Sequence, residues 1–195
     1  HDAIWAASAN AVLRRQIVEL DKRLAPYRRF ITFRPGRTQT AVREQNTVYD
    51  TSDLRLRAAG LLLRLRRVGR QWLLTYKGPA TFAGGVKRRE ELEVEPGDGQ
   101  VMELLLDRLG FRPVARYEKD RETWRHEGVA VTLDHTPMGD FVELEGGGDL
   151  KALAAAVGLD PGRAVRGSYL ELWDQYRRDH PALGLPADMV LAPAE

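Results

Sequence analysis

The stretch that decides the fold is residues 60–79, which read GLLLRLRRVGRQWLLTYKGP. Arg64 and Arg66 stand two apart in it, and Leu63 and Leu65 occupy the alternate positions. Because residues two apart in a strand share a face, this run predicts a strand with one charged side and one apolar side.

The same alternation of charged and apolar residues recurs in other strand-like runs, at Glu91, Glu93 and Glu95 and again at Glu143 and Glu145. In a single antiparallel strand, such a charged side usually faces water. Recurrence over several strands favours a second interpretation, in which the charged sides turn inward in a closed or curved sheet. They would then line a cavity that holds cations and carboxylates together, which suits a polyanion that arrives with a divalent metal.

Hydrophobic periodicity predicts mixed secondary structure. A helical stripe of apolar residues predicts a helix over residues 4–24, ended by the Ala25-Pro26 step. The period then changes to two, and strands are predicted at 29–34, 39–49, 61–68, 71–77, 86–95, 112–124, 128–134 and 139–145. Further helices are predicted at 101–109, 150–157 and 169–178, and an irregular tail follows residue 181.

Length and composition are compatible with one domain, because the 195 residues are 43% hydrophobic and 30% charged. We expect a single domain over residues 1–180 and a C-terminal tail over 181–195. No apolar stretch approaches the roughly 20 residues that cross a bilayer, and the start lacks a signal-peptide pattern. A cytoplasmic location and no membrane partner are therefore expected. Cysteine is absent, which excludes disulfides, thiolate catalysis and Cys-ligated zinc.

The formal net charge of +2 hides an asymmetric distribution of charge. Residues 28–70 contain eleven arginines and no lysine, against only Glu44, Asp50 and Asp53. The planar guanidinium matches phosphate oxygens better than an ammonium does, so this block points to phosphates. A solvated surface or a nucleic-acid patch is the alternative interpretation of the charge alone.

Six segments in a fixed order carry a resemblance to a known family. They are REQNTVYDTSDLRLRAAG (43–60), the stretch 60–79, RREELEVE (88–95), YEKDRETW (117–124), TLDHTPMGDFVELEG (132–146) and SYLELW (168–173). Together they resemble the CYTH superfamily of triphosphate tunnel metalloenzymes, over residues 43–173.

The resemblance implies an α+β fold, in which an antiparallel β tunnel, a closed eight-stranded barrel in the family, is flanked by helices. Its polar interior would bind a triphosphate. The implied phosphate-binding residues are Arg64, Arg66, Lys77, Arg89, Lys119, Arg121 and Arg166. The implied ligands of Mg2+ or Mn2+ are Glu91, Glu93, Asp134, Glu143 and Glu145. A metal-activated water is the expected nucleophile, so no side chain is assigned that role.

One departure from the family concerns its N-terminal strand, which carries an E-x-E-x-K signature. That signature is not found here, and the opening HDAIWAA is interpreted as the helix that follows the strand. The N-terminal strand is therefore expected either to lie upstream of residue 1 or to be missing, which would leave the tunnel one strand short.

Three functions stay open. The favoured one is a divalent-metal-dependent hydrolase of inorganic tripolyphosphate or of an organic triphosphate. The second is a class IV adenylyl cyclase that makes cAMP from ATP in the same tunnel. The third is a non-catalytic polyphosphate- or nucleic-acid-binding module, although the scattered aromatics argue against nucleic acid. The expected partner is a small-molecule triphosphate or polyphosphate, and a homodimer is left open.

Overall fold

The structure is a computed structural model that describes residues 2–7, 41–83, 86–126, 128–147, 149–156, 158–160, 164–165 and 167–192. The chain divides into two compact units. The first unit comprises His1–Ala41 and Asp120–Gly167, and the second comprises Val42–Lys119 and Ser168–Glu195.

The described elements are mainly strands. In chain order they are β1 (Asp2–Ala7), β2 (Val42–Asp50), α1 (Arg55–Ala58), β3 (Leu62–Val68), β4 (Gln71–Lys77), β5 (Thr81–Ala83), β6 (Val86–Arg88), β7 (Glu91–Val94), α2 (Gly99–Arg108), β8 (Arg112–His126), β9 (Val129–Thr136), β10 (Gly139–Gly146), α3 (Leu150–Ala156), α4 (Tyr169–Asp179) and a 3-10 turn (Pro181–Leu183). Every strand pair with a described register is antiparallel. This confirms the predicted α+β class with an antiparallel sheet and flanking helices.

The sheet of the second unit runs β2-β3-β4-β7, with the first part of β8 beside β2. Its register aligns Arg64 with Thr75, and Thr75 in turn with Glu93. Directly paired residues share a face, so the charged side chains of neighbouring strands form one polar face. Arg64 and Glu44 on this face are buried, so the expectation that a charged side faces water fails for β2 and β3.

The opposite face of the same sheet is apolar and packs on α2. Tyr49 and Leu65 form a buried cluster with Leu106 of this helix. Full burial of each such side chain contributes roughly 1.5–3 kcal/mol. Gly99 opens α2 directly against Trp72, and a Cβ atom there would lie 2.0 Å from the indole ring. A glycine is therefore required for this close approach.

The first unit is built on the order β1-β10-β9-β8, to which β8 contributes its second part. One face of β9 and β10 is apolar and buried, with Val131 opposite Leu144 in the register, and α3 packs on β10. The other face carries Asp134 on β9 and Glu143 on β10. Alternation therefore separates an apolar side from an acidic side, as the sequence predicts.

The N-terminal prediction is wrong where the structure describes it. Residues Asp2–Ala7 form a strand rather than the start of a helix, and they pair antiparallel with β10 so that Ile4 lies opposite Glu143. The helical stripe and the alanines favour a helix locally, but pairing with β10 supplies ladder hydrogen bonds that outweigh weak propensity. A strand therefore pairs with β10 here, although without the E-x-E-x-K pattern. The rest of the predicted helix, and the strand predicted at 29–34, lie outside the described residues.

A second correction concerns the strand predicted over residues 86–95. The structure breaks it into β6, which pairs with β5, and β7, which pairs with β4, and between them Arg89 donates to backbone carbonyl groups. β5 and α1 were not predicted from the sequence. The helices predicted at 101–109, 150–157 and 169–178 are confirmed within two residues. No helix in the described part of the chain is long and apolar enough to span a bilayer.

Candidate functional site

The polar face of the second unit contains a buried arginine held by two hydroxyl groups. Arg64 is only 5% exposed. Its Nη1 donates to the Tyr117 hydroxyl at 3.1 Å and its Nη2 donates to Thr75 Oγ1, also at 3.1 Å. A Glu93 oxygen lies 3.8 Å from Nη2. Arg64 Nε is buried and has no hydrogen-bond partner among the described residues.

Arg66, two residues further along β3, is held by β2. Its Nε donates to Asn46 Oδ1 at 2.9 Å, and its Nη1 donates to Glu44 Oε1 at 3.2 Å. The other Glu44 oxygen lies 3.7 Å from the ammonium of Lys119, which is itself 2% exposed. Glu44 is therefore a buried carboxylate shared by two cations.

Lys119 and Tyr117 reach this face from β8, where they stand two apart. The Lys119 ammonium lies 4.7 Å from the centre of the Tyr169 ring, a cation–π contact. Tyr169 also stacks on Tyr117, with ring centroids 6.4 Å apart. We call Arg64, Arg66, Lys119, Glu44 and Tyr117 the basic cluster.

Positive charge dominates the basic cluster, as the pKa of its phenol shows. Burial acts to raise the pKa of Tyr117, but the charges of Arg64 and its two cationic neighbours outweigh burial, and the pKa lies below its usual value. For Arg64, burial acts to lower the pKa, yet Tyr117 and Glu44 outweigh it and the pKa is raised. Arg64 therefore stays charged, and the surroundings of Tyr117 favour negative charge.

Arg89, which lies between β6 and β7, binds backbone groups near the end of β4. Arg89 donates through Nε to the carbonyl of Gly78 at 2.7 Å, and through Nη2 to the carbonyls of Lys77 and Gly60 at 3.1 and 3.2 Å. The Lys77 ammonium forms an ion pair with Glu91 at 2.7 Å. Arg89 thus ties backbone segments together around Lys77.

The first unit carries a separate group of charges around Arg121. Arg121 Nε and Nη2 donate to the two oxygens of Asp134, both at 2.6 Å, and Nη2 also donates to Glu143. Thr132 donates to the same Glu143 oxygen at 3.5 Å. Asp134 is fully buried. We call Asp134, Glu143 and Arg121 the acidic cluster, because two carboxylates face one guanidinium.

The donor set of the acidic cluster suits a hard divalent cation, which takes carboxylate oxygens. Asp134 and Glu143 already converge on one positive group, Nη2 of Arg121. Within the described part of the chain, no three acidic or histidine side chains come close enough together to hold a metal ion. Asp134 and Glu143 therefore fit as two ligands, which water or phosphate oxygens would have to complete.

The structure thus places the predicted site residues in groups. Arg64, Arg66 and Lys119 come together in the basic cluster, and Lys77 and Glu91 pair with each other. Glu93 accepts a hydrogen bond from Thr75 at 2.8 Å and joins the rim of the basic cluster. Glu145 lies exposed on β10, opposite Ala130. Arg166 lies outside the described residues.

Sequence reasoning missed Glu44, Asn46, Thr75 and Tyr169 as members of this site. Glu44 and Asn46 stand two apart in β2, and Thr75 stands two before Lys77. Strand alternation therefore predicts the face on which these side chains lie. Tyr169 lies on a helix, where strand periodicity has no bearing. A capping box formed by Ser168 and Glu171 begins this helix and fixes the ring beside Lys119.

The fold agrees with comparisons to known proteins. The CYTH domain matches residues 35–158. The chain therefore belongs to the CYTH family, whose enzymes act on small triphosphate substrates and generally depend on divalent metals.

Individual relatives differ in what their names say. A protein of Methanocaldococcus jannaschii named "putative adenylate cyclase" is 28% identical over 141 residues, 66% of this chain and 80% of the relative. A solved structure from Pyrococcus horikoshii has a TM-score of 0.66 at 26% identity, over 91% of this chain and 100% of that chain. A Hippeastrum protein, described as a "putative adenylyl cyclase" that "reveals a dominant" triphosphatase activity, has a TM-score of 0.62 at 16% identity, over 90% of this chain and 94% of that chain. This likeness shows the fold alone.

Proposed function

We propose that this chain binds a triphosphate through its basic cluster and hydrolyses it with a divalent metal. Arg64, Arg66 and Lys119 bind phosphate oxygens in this proposal, with Lys77 at the end of β4 as a further cation. The acidic cluster supplies carboxylates to the metal. Arg121 is bound by the same carboxylates. It would contact phosphate only if the bound metal took its place beside them.

The observation that carries the proposal is the state of Arg64. Its guanidinium is buried, two of its nitrogens are held by neutral hydroxyls, and its Nε has no partner in the described part of the chain. A buried donor without an acceptor costs roughly 1–3 kcal/mol, and more when it is charged. A phosphate oxygen would supply the missing acceptor and a negative charge closer than that of Glu93, which lies 3.8 Å from Nη2.

Electrostatics supports a multiply charged ligand over a singly charged one. At an effective dielectric constant near 20, one opposite charge at 4 Å contributes roughly 4 kcal/mol before desolvation is counted. Among the described residues, Arg64, Arg66 and Lys119 meet the buried Glu44, and the half-exposed Glu93 lies at the rim 3.8 Å from Arg64. An extended polyphosphate offers several oxygens to these cations at once, which a single phosphate does not.

Mg2+ or Mn2+ would be held by Asp134 and Glu143. When bound, such an ion stabilises negative charge on phosphate and lowers the pKa of a water molecule. The residues of the chain bind and orient the substrate. Arg64, Arg66 and Lys119 hold the phosphate oxygens, and their charges, already in place, stabilise the negative charge that develops during the reaction. Catalysis of phosphoryl transfer rests largely on such positioning and charge stabilisation.

A cyclase is the second candidate, because one relative carries that name. The same basic cluster would bind the triphosphate of ATP, and the attacking group would be the ribose 3'-oxygen instead of water.

One assay panel separates these functions. Tripolyphosphate, ATP and thiamine triphosphate are each incubated with the protein and with Mg2+, Mn2+ or EDTA, and both released phosphate and cAMP are measured. We expect metal-dependent phosphate release that EDTA abolishes, and little cAMP. Dominant cAMP formation from ATP would establish the cyclase instead.

An Arg64→Lys variant serves as the test of the basic cluster in the same panel. Lysine keeps the charge but cannot hold Thr75 and Tyr117 together with a phosphate oxygen, so turnover should fall by at least about tenfold. Arg70→Ala is the matched control, because Arg70 is exposed in the turn between β3 and β4. Equal turnover in Arg64→Lys and wild type would contradict the assignment of Arg64.

Glu143→Gln should raise the concentration of Mn2+ or Mg2+ needed for half-maximal turnover, because an amide is a poorer ligand for a hard cation than a carboxylate. A metal titration of phosphate release measures this shift. Glu122→Gln is the control, since Glu122 on β8 faces His135 rather than Arg121. An unchanged titration for Glu143→Gln would show that this carboxylate is not a metal ligand.

A further inference from the structure

Tyr117 belongs to the basic cluster, but the proposed function assigns no role to its hydroxyl group. Its side chain is 7% exposed. The ring stacks on Tyr169, and the hydroxyl accepts a hydrogen bond from Arg64 Nη1 at 3.1 Å. The backbone carbonyl of Tyr117 accepts from Asn46 Nδ2 at 3.4 Å, which ties its strand to β2.

The hydrogen bonds of the Tyr117 hydroxyl are incomplete. A phenol has one proton to donate and two lone pairs to accept with. One lone pair is used by Arg64, and no acceptor for the proton is found among the described residues. Buried polar groups are normally satisfied, so an unused donor in a buried site indicates a missing acceptor. Arg64 Nε is a second unused donor on the same hydrogen-bonded pair.

The charges that face Tyr117 come from every strand packed around it. Arg64 and Arg66 approach from β3 and Lys119 from β8 itself, while Glu44 of β2 lies between Arg66 and Lys119. From α4 the uncharged ring of Tyr169 stacks on the ring of Tyr117. Two unused donors therefore point into surroundings with more cations than carboxylates.

A second buried tyrosine in the same unit, Tyr49, shows that burial alone does not lower the pKa of a tyrosine. Tyr49 lies on the apolar face, where its hydroxyl donates to Glu103 at 3.5 Å. Burial, followed by the charge of Glu103, raises the pKa of Tyr49 to about 12, whereas the pKa of Tyr117 is lowered. The two phenols differ in the charge around them, and only Tyr117 is poised to meet an anion.

We infer that Tyr117 is a phosphate ligand of this site: its hydroxyl accepts from Arg64 and donates its own proton to a phosphate oxygen of the polyphosphate. Tyr117 and Arg64 then act as one unit that binds with two donors, the phenol and Nε. The stack with Tyr169 limits rotation of the ring, so the donor is held in place before the ligand arrives. This inference rests on the proposed triphosphate-binding function.

The test measures binding without turnover. Tripolyphosphate is titrated calorimetrically, in EDTA, into wild type, Tyr117→Phe and Tyr49→Phe, each checked for its melting temperature. Loss of one hydrogen bond to a charged ligand should weaken binding of Tyr117→Phe by about tenfold or more. Tyr49→Phe removes the same atom from the opposite face and should bind like wild type.

A spectroscopic measurement on the wild-type protein makes the test independent of variant folding. Phenolate absorbance is followed as pH rises, with and without tripolyphosphate. Tyr117 should give the ionisation at lowest pH, which Tyr117→Phe lacks. Bound tripolyphosphate should move this step to higher pH, because a neighbouring anion disfavours the phenolate.

The outcomes are distinct. Weakened binding of Tyr117→Phe together with a ligand-dependent phenolate step establishes the inference. If wild type binds tripolyphosphate and Tyr117→Phe binds equally well, or if the ligand leaves the phenolate step unmoved, Tyr117 is a packing residue and the proposed function stands. If wild type binds no tripolyphosphate in EDTA, the inference fails, and metal-dependent phosphate release in the assay panel decides separately whether the proposed function stands.

Discussion

Arg64 and Arg121 are both strand arginines, yet their surroundings give them opposite roles. Arg121 is neutralised by two oxygens of Asp134 at 2.6 Å and by Glu143. Arg64 is held by the hydroxyls of Thr75 and Tyr117, which accept hydrogen bonds without cancelling its charge. A guanidinium held by neutral acceptors remains available to an anion, whereas one in a bidentate carboxylate pair is largely compensated.

Arg66 should contribute to stability as well as to binding. Arg66→Ala leaves the buried Glu44 with Lys119 at 3.7 Å as its remaining described ion pair, and a weakened partner for a buried carboxylate costs about 1–3 kcal/mol. Urea unfolding should therefore show a lower free energy of unfolding for Arg66→Ala.

A second substitution separates the two roles of Arg66. Adding Glu44→Gln to Arg66→Ala removes the buried negative charge that lost Arg66 as a partner and should recover part of the lost stability, while phosphate release stays low. Full stability in Arg66→Ala alone would show that Glu44 does not depend on Arg66.

At the scale of elements, β8 contributes residues to both units. Its first part carries Tyr117 and Lys119 next to β2, and its second part carries Arg121 next to β9. The C-terminal segment supports the first part, because Met189 forms a parallel bridge with Tyr117 and exchanges backbone hydrogen bonds with Arg116 and Glu118 at 3.0 and 2.7 Å. The tail after Pro181–Leu183 is therefore partly bound to the sheet.

Met189 is fully buried, so Met189→Ala should destabilise the protein by about 2–5 kcal/mol. It should also weaken tripolyphosphate binding, because the strand that holds Tyr117 and Lys119 loses its support. Val190→Ala is the control, since Val190 is 44% exposed and a surface change of this kind stays within about 0.5 kcal/mol. Denaturant unfolding and calorimetry measure both effects, and equal affinity in the two variants would contradict the supporting role of the tail.

At the scale of the whole molecule, the distribution of charge says more about ligand binding than the net charge does. A net charge of +2 conceals a largely buried basic cluster and, on another part of the chain, an acidic cluster around the buried Asp134. Burying like charges opposes folding, and a ligand that binds only the folded state offsets this cost by mass action.

Tripolyphosphate should therefore stabilise the protein without any metal. At about 100 times its dissociation constant, a ligand adds about 2.7 kcal/mol to the free energy of unfolding. For a protein of this size that corresponds to a rise in Tm of about 5–10 °C. Thermal unfolding in EDTA measures the shift, and Arg67→Ala, an exposed neighbour of Arg66 in β3, should retain it. An unchanged Tm at high tripolyphosphate concentration would contradict binding to the basic cluster.

Much of the fold follows from hydrophobic periodicity and from turn-forming residues in the sequence. The alternation around Arg64 and Arg66, with a turn at Gly69-Arg70, predicts β3 and β4 within one residue of their ends. The end of α2 follows from Leu109-Gly110 in the same way. These features are local, because a strand or helix in contact with a core must keep its own period.

β1 and the break at Arg89 are not predictable in this way. The strand at Asp2–Ala7 exists because β10 pairs with it, and between β6 and β7 the carbonyls of Lys77 and Gly60 accept the donors of Arg89. Both depend on segments distant in sequence, which propensity and periodicity do not record.

The sequence by itself determined which residues share a face, and hence that charges of both signs follow alternate positions of several strands. Only the tertiary structure decided that the face of β2, β3 and β8 is buried, that Glu44 is shared by Arg66 and Lys119, and that Arg64 is held by hydroxyls while Arg121 is held by carboxylates. The physical reason is that period depends on the backbone alone, whereas burial and the partner of a charge depend on which strands become neighbours.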